Sequence, residues 1–186
     1  MKRDARRGRP SGRPRADLKV RPYTLHVKIN GQNHDIQAPL GERLMWVLRD
    51  AGFQGVKHGC EDGTCGACTI LLDGKAVTCC TMLAAQAEGH EITTIEALGD
   101  PDHLHPLQER FVVDGAIQCG YCTPGMILST HALVSESPDP TEAEIKDALC
   151  GNLCRCTGYQ KPIQAIQKYT ADRRGFQPRP EKPNGR

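Results

Sequence analysis

Ten cysteines dominate the chemistry open to this chain, and they are bunched: Cys60, Cys65, Cys68, Cys79 and Cys80, then Cys119 and Cys122, then Cys150, Cys154 and Cys156. A disulfide framework spreads its cysteines along a short secreted chain, whereas clustered thiols without an export signal point to metal. The first group contains Cys60-x4-Cys65-x2-Cys68 and a later cysteine, the ligand spacing of plant-type [2Fe–2S] ferredoxins. Three thiolates from one short loop must then converge on a negatively charged cluster. Gly59, Gly63 and Gly66 suit such a loop, because glycine adopts positive φ and lets backbone N–H groups face sulfur. Those donors stabilise the reduced, more negative state and tune its potential. The fourth ligand comes from the next hairpin, as Cys79 or Cys80. Zinc also accepts four thiolates, but its knuckles usually arrive as two paired halves. Three ligands in one loop plus a singleton favour iron–sulfur.

The remaining cysteines supply two pairs, Cys119-Gly120-Tyr121-Cys122 and Cys154-Arg155-Cys156. Each pair precedes a predicted helix, whose partly positive start favours thiolates. Two ligands separated only by Arg155 are awkward for one tetrahedral zinc, while a wider cluster can share them between irons. Spacing alone leaves zinc open at this second site. Nothing else offers catalysis: the seven histidines form no ligand spacing, and His103 and His105, in a polar loop, are expected to be solvated. No Ser/His/Asp arrangement, P-loop or dinucleotide glycine motif is present.

Two kinds of element must position these thiols. Leu25, Val27 and Ile29 alternate on one face of a strand beginning at Tyr23, and Asn30-Gly31 is the preferred pair for a tight hairpin into a second strand, His34 to Ala38. Leu44, Val47, Leu48 and Ala51 recur at helical spacing up to Gly52. Thr69 to Leu72 and Lys75 to Cys80 flank Asp73-Gly74 as another hairpin, and Ile92 to Ile95 reads as a last strand. Beyond Leu98 the period becomes helical. Helices are predicted over Pro106 to Val113, over Pro124 to Ser135, from the Thr141–Glu144 capping box to Leu149, and over Pro162 to Thr170. Four helices in so short a span point to a bundle.

Net charge is +2, but residues 1–22 alone carry +7 and the rest therefore −5. Arg6-Arg7 resembles a twin-arginine pair, yet Gly8 to Arg15 provides no apolar stretch to follow it. A nucleic-acid arm would interleave aromatics with its arginines, and this segment has none. Residues 1–22 are therefore expected to be a disordered basic leader, and residues 171–186, with Pro178, Pro180 and Pro183, an extended tail. No segment approaches a membrane span. The expected compartment is the cytoplasm, with neither nucleic acid nor membrane as partner.

Three motifs in order, Gly59-Cys60-x4-Cys65-Gly66-Ala67-Cys68-Thr69, Gln118-Cys119-Gly120-Tyr121-Cys122-Thr123-Pro124-Gly125 and Gly151-Asn152-Leu153-Cys154-Arg155-Cys156-Thr157-Gly158-Tyr159, resemble the iron–sulfur subunit of the molybdenum hydroxylases. That is the family of xanthine dehydrogenase, aldehyde oxidoreductase and carbon monoxide dehydrogenase, and the resemblance runs from about Tyr23 to Tyr169. It implies an α+β chain: a β-grasp, plant-type ferredoxin-like domain over 23–98, then a four-helix-bundle [2Fe–2S] domain over 99–170. It implies Cys60, Cys65, Cys68 and Cys80 as ligands of the first cluster, and Cys119, Cys122, Cys154 and Cys156 as ligands of the second. Cys79 and Cys150 fall where the family more often has serine and are expected to be spare buried thiols. Gln118 and Cys156 match positions that lie against a molybdopterin. The implied function is an electron relay: from a molybdenum–pterin centre in a large partner subunit, through the second cluster and then the first, toward FAD on a third subunit or another acceptor. Specificity for substrate would rest with the molybdenum subunit. Two rivals remain at this stage, a free-standing two-cluster carrier and a structural zinc or nucleic-acid-binding protein.

Overall fold

The computed structural model describes residues 22–175. Asn30 (φ 52°) and Gly31 (φ 80°) form the turn that their sequence demands, joining β1 (Pro22–Ile29) to β2 (Gln32–Pro39) in antiparallel register with Ile29 opposite Gln32. Alternation holds along β1, which buries Leu25, Val27 and Ile29. Helix α1 (Leu44–Asp50) packs over this face, and Leu44 through Leu48 are all buried. Asp73-Gly74 turns β3 (Thr69–Leu72) into β4 (Lys75–Thr78). Strand β5 (Glu91–Thr93) then runs parallel to β1 and antiparallel to β3, closing a five-stranded mixed sheet in the order β2-β1-β5-β3-β4. The predicted last strand thus stops at Thr93. Asn30 intervenes by exchanging hydrogen bonds with Thr94, and Ile95–Ala97 coils into a 3-10 turn.

Four helices follow: α2 (Pro106–Val113), α3 (Thr123–Glu136), α4 (Glu142–Leu149) and α5 (Gln160–Gly175). The capping box opens α4 as the sequence indicates, with Glu144 N donating to Thr141 Oγ1 at 3.3 Å. Their shared core is Leu107, Phe111, Met126, Ile145, Leu149, Ala165 and Ile166, each almost without exposure. A smaller cluster, Leu71 on β3 with Leu128 and Ala132 on α3, welds the sheet to the helices. Burying those side chains contributes roughly 1.5–3 kcal/mol for a full leucine.

Further boundaries differ from expectation: β4 stops at Thr78, short of Cys80, and both terminal limits move outward. Pro22 already belongs to β1, and α5 continues to Gly175, so five residues assigned to an extended tail are helical. Tyr169 and Thr170 are buried near that end and carry the helix onward by packing. The basic leader up to residue 21 and the tail from 176 lie outside the described residues. His103 is exposed as expected, but His105 is not simply solvated. It caps α2, its Nδ1 accepting from Leu107 N at 3.2 Å, and its half-buried ring faces that of His131 at 5.8 Å between centroids. Among the described residues no helix is long and apolar enough to cross a membrane.

Burial, the charge of His131 and Arg173 hold His105 below the ordinary imidazole range, and burial with Arg173 does the same for His131. The unfolded chain therefore binds more protons on acidification. This contribution to stability is complete above about 6.5 and is lost as pH falls through the lowered folded-state value. Replacing His131 with Gln is expected to flatten the fall of the denaturant midpoint as pH drops below about 6.5, which chemical unfolding at a series of fixed pH values will measure.

Candidate metal centres

The loop between α1 and β3 presents Cys60, Cys65 and Cys68 by turning through positive φ at Glu61 (70°), Gly63 (86°) and Gly66 (66°). Glu61 is the unusual member, because a side chain in this region is strained. It is held from outside. Arg43 Nη1, at the start of α1, donates to Glu61 O at 2.7 Å and pairs with its carboxylate at 3.2 Å, while His58 Nε2 lies 2.8 Å from the other oxygen. The Trp46 ring backs His58 at 4.8 Å. Asp62 accepts from Thr64 N at 2.9 Å, and the Cys60 thiol together with Thr64 holds its carboxyl down at about 2. Within the loop, Cys65 N donates to Cys60 Sγ at 3.4 Å, a backbone-to-sulfur bond of the kind the glycines were read to permit. Cys80, buried just beyond β4, reaches Cys68 with the Gly63 backbone beside it.

The second group is assembled from two helix starts. Cys122 immediately precedes α3, with Cys119 upstream, and Cys154 and Cys156 lie on the loop entering α5. Cys156 Sγ is 3.5 Å from Cys119 Sγ, and Cys122 is within hydrogen-bond reach of Cys154. Thr157 brings its N and Oγ1 to 3.5 and 3.1 Å from Cys154 Sγ. Tyr159, at φ 67°, accepts from Cys154 N at 2.8 Å and donates to Asn152 O at 3.0 Å, which pins the loop.

These eight thiols meet in twos, Cys60 with Cys65, Cys68 with Cys80, Cys119 with Cys156 and Cys122 with Cys154, and the Cys79 thiol also bonds Cys68. A [2Fe–2S] cluster needs this pattern, since four thiolates are shared between two irons. Among the described residues no three His, Cys, Asp or Glu side chains close on a single ion position. Neighbouring thiols also split their proton affinities. Donation from Cys79, against the effect of burial, lowers Cys68 to about 6, whereas burial and the adjacent Cys68 raise Cys80 to about 12. Burial and the adjacent Cys154 likewise push Cys122 up to about 12. The donor set is soft, paired and partly shielded from water, and it fits the group.

Comparison with known proteins matches residues 27–94 to the "2Fe-2S iron-sulfur cluster binding domain" family and residues 94–167 to the "[2Fe-2S] binding domain" family. The chain is 47% identical to the nicotinate dehydrogenase small FeS subunit of Eubacterium barkeri, over 81% of this chain and 96% of that one. It is 43% identical to the xanthine dehydrogenase iron-sulfur-binding subunit of Escherichia coli O157:H7, over 77% and 91%. The crystal structure of quinoline 2-oxidoreductase from Pseudomonas putida 86 superposes with a TM-score of 0.79 at 40% identity, covering 83% of this chain and 98% of that one. The chain belongs to the iron–sulfur subunits of the molybdenum hydroxylases. It is an electron-transfer subunit, and the free-standing carrier is not favoured.

In this iron–sulfur subunit the two cysteine sites lie back to back at the junction of sheet and helices. Leu153 N donates to Cys65 O at 2.9 Å, so a residue of one site is joined to the neighbour of Cys154 in the other. Tyr121, between the cysteines of the second site, donates to His58 O on the first loop. Gln118, Cys119 and Cys156 are exposed together with Tyr121 and Leu153. Of the two surplus thiols, Cys79 is fully buried and donates to Cys68 O at 3.0 Å, but Cys150 is exposed at the end of α4, which corrects the expectation that both are buried. Arg43, His58 and Glu61 escaped the sequence reading, and Tyr159 entered it as a motif position without a role, because their work is to hold loop geometry through contacts that spacing does not display. Only the position of Glu61 between glycine-rich turns could have flagged it.

Gly66 is irreplaceable on two counts: φ 66° is costly for a side chain, and a Cβ would overlap Gly151 O across the junction. Gly74 has a similar φ of 81° but open space around it. Gly66→Ala is expected to cost clearly more than the roughly 1–2 kcal/mol of backbone strain expected for Gly74→Ala, as read from denaturant midpoints of the cluster-loaded protein.

Proposed function

We propose that Cys60, Cys65, Cys68 and Cys80 hold one [2Fe–2S] cluster and Cys119, Cys122, Cys154 and Cys156 the other, on a β-grasp ferredoxin-like domain and a four-helix-bundle domain, respectively. When bound, these clusters supply one-electron transfer between a molybdopterin centre in a large partner subunit and FAD on a medium subunit, or another acceptor. The observation that carries this reading is the hydrogen bond from Leu153 N to Cys65 O, which links the two thiol sets through a single non-covalent step. A relay needs such proximity; two independent structural metals do not.

The residues divide the work between coupling and contact. Cys60 accepts the backbone N–H of Cys65, and Cys154 accepts that of Thr157, so each site holds a donor that favours added negative charge. Cys68 and Cys80 are shielded from water by α1 and the sheet. Cys119 and Cys156 instead reach the surface, where Gln118, Tyr121 and Leu153 form a mixed polar and apolar face. That face supports the large subunit docking at the second site, with Gln118 and Cys156 against the pterin. Interfaces are enriched in aromatic side chains such as Tyr121. The nicotinate, xanthine and quinoline relatives differ in named substrate, so the substrate of this complex is set in the partner.

Purified with its partners, the chain is expected to bind about four irons and no zinc, and to be red-brown. Zinc, or iron at about two per chain, would overturn the two-cluster reading. Cys80→Ser is expected to disturb or remove the first cluster's electron paramagnetic resonance signal while Cys79→Ser leaves it in place. The reverse result would move the fourth ligand to Cys79.

A further inference from the structure

Beside the Leu71–Leu128–Ala132 cluster, the Leu153 N to Cys65 O bond and the Tyr121 bond to His58 O, the sheet and helical units share one buried carboxamide at the cysteine loops. Asn152 is 2% exposed and bonds in three directions. Its Nδ2 donates to Gly66 O at 3.1 Å and to Thr69 Oγ1 at 3.3 Å, and its Oδ1 accepts from Ser129 Oγ at 2.8 Å. Gly66 O can only accept, which fixes the orientation of the amide. Gly66 lies between Cys65 and Cys68, Ser129 lies on α3 beyond Cys122, and Asn152 itself stands just ahead of Cys154. The single side chain therefore touches the segments that carry both thiol sets.

The backbone around it leaves no slack. A Cβ on Gly66 would come within 2.6 Å of Asn152 Nδ2, and one on Gly125 within 2.8 Å of the same atom while overlapping Gly66 O. Two glycines at the junction are thus cut away to let three stretches of main chain close on the amide. Beside it runs the Leu153 N to Cys65 O bond. Neither apolar nor charged substitutes meet the geometry. Leucine would strip Ser129 Oγ of its acceptor and leave Gly66 O with only the donors of Thr69, N at 3.2 Å and Oγ1 at 2.7 Å, and aspartate would turn an acceptor toward the acceptor Gly66 O.

We propose that Asn152 is a positioning residue for inter-cluster electron transfer, setting the separation and orientation of the two [2Fe–2S] sites without touching either. This rests on the two-cluster reading above. Its role is distinct from ligation because all its partners are backbone or hydroxyl groups, and distinct from general core stability because its bonds to Gly66 O and Thr69 Oγ1 cross between the two units while that to Ser129 anchors it on the helical side. Loss of the amide lets the Cys65 loop drift from the Cys154 loop and lengthens the step between them.

The test uses the assembled complex carrying Asn152→Leu, reduced and frozen. Iron content and the separate resonance positions of the two clusters are expected to match the parent. The low-temperature splitting that arises from spin–spin interaction between the reduced clusters is expected to shrink or disappear, and rapid-mixing reduction of the first cluster to slow. Unchanged splitting and rate in an iron-replete variant would overturn the proposal. So would selective loss of iron from the second site, since Asn152 would then serve that loop and not the junction. Ser129→Ala and Thr69→Val remove one partner each and leave the amide in place. They are expected to give a smaller change of the same sign, and unchanged splitting in both overturns the proposal even where Asn152→Leu does not accumulate. A parent complex lacking two cluster signals would instead sink the underlying two-cluster reading.

Discussion

Four thiolates drawn to one small volume repel one another, and a polypeptide can hold them there only by supplying compensating positive ends. In this chain the compensation comes from backbone N–H groups and from the metal group that the pairs are spaced to receive. Cys65 N on Cys60 Sγ and Thr157 N on Cys154 Sγ are the visible part of it. Both depend on loops that turn through positive φ, at Gly63 and Gly66 in one site and at Gly158 and Tyr159 in the other. Such loops have no regular hydrogen bonding of their own, so they need rigid surroundings. The sheet with α1, and the four helices, exist at these loops as clamps.

The clamps are electrostatic on one side and polar-buried on the other. Arg43 and His58 hold Glu61, which keeps the first loop bent where a side chain would otherwise resist. Tyr159 performs the equivalent task for Cys154 from inside the second loop. Pairs such as Arg43–Glu61 are partly exposed and contribute modestly to overall stability. Their value lies in geometry, because sites of this kind tolerate little looseness in the supporting shell. The apolar contact of Leu71 with Leu128 and Ala132 brings the units together, and the glycine-lined junction sets how closely they approach.

Local features were read correctly from the chain because their causes are local. Asn30-Gly31 and Asp73-Gly74 demand tight turns whatever surrounds them, and Thr141 with Glu144 caps α4 through neighbours three residues apart. Errors arose where tertiary contacts overrode those signals. The last helix runs past Thr170 with its end packed on the α2 side, where Arg110 Nε bonds Asp172 Oδ2 at 2.7 Å. His105 looked like a loop residue but is enclosed by α3 and α5, beside His131 and Tyr169. Cys150 is exposed because α4 ends with that face toward solvent, a matter of helix phase that its thiol chemistry does not reveal.

The sequence by itself determined which atoms could bind metal, since thiol identity and the x4–x2 spacing are written in the order of residues. It also determined the two kinds of scaffold, because alternation and helical recurrence are one-dimensional patterns. Only the tertiary structure decided which thiols face each other and how the two sites are joined. The partners concerned are far apart along the chain: Cys119 with Cys156, Cys65 with Leu153, and Gly66 with Asn152. Their meeting depends on packing of sheet against helix, which no local spacing encodes.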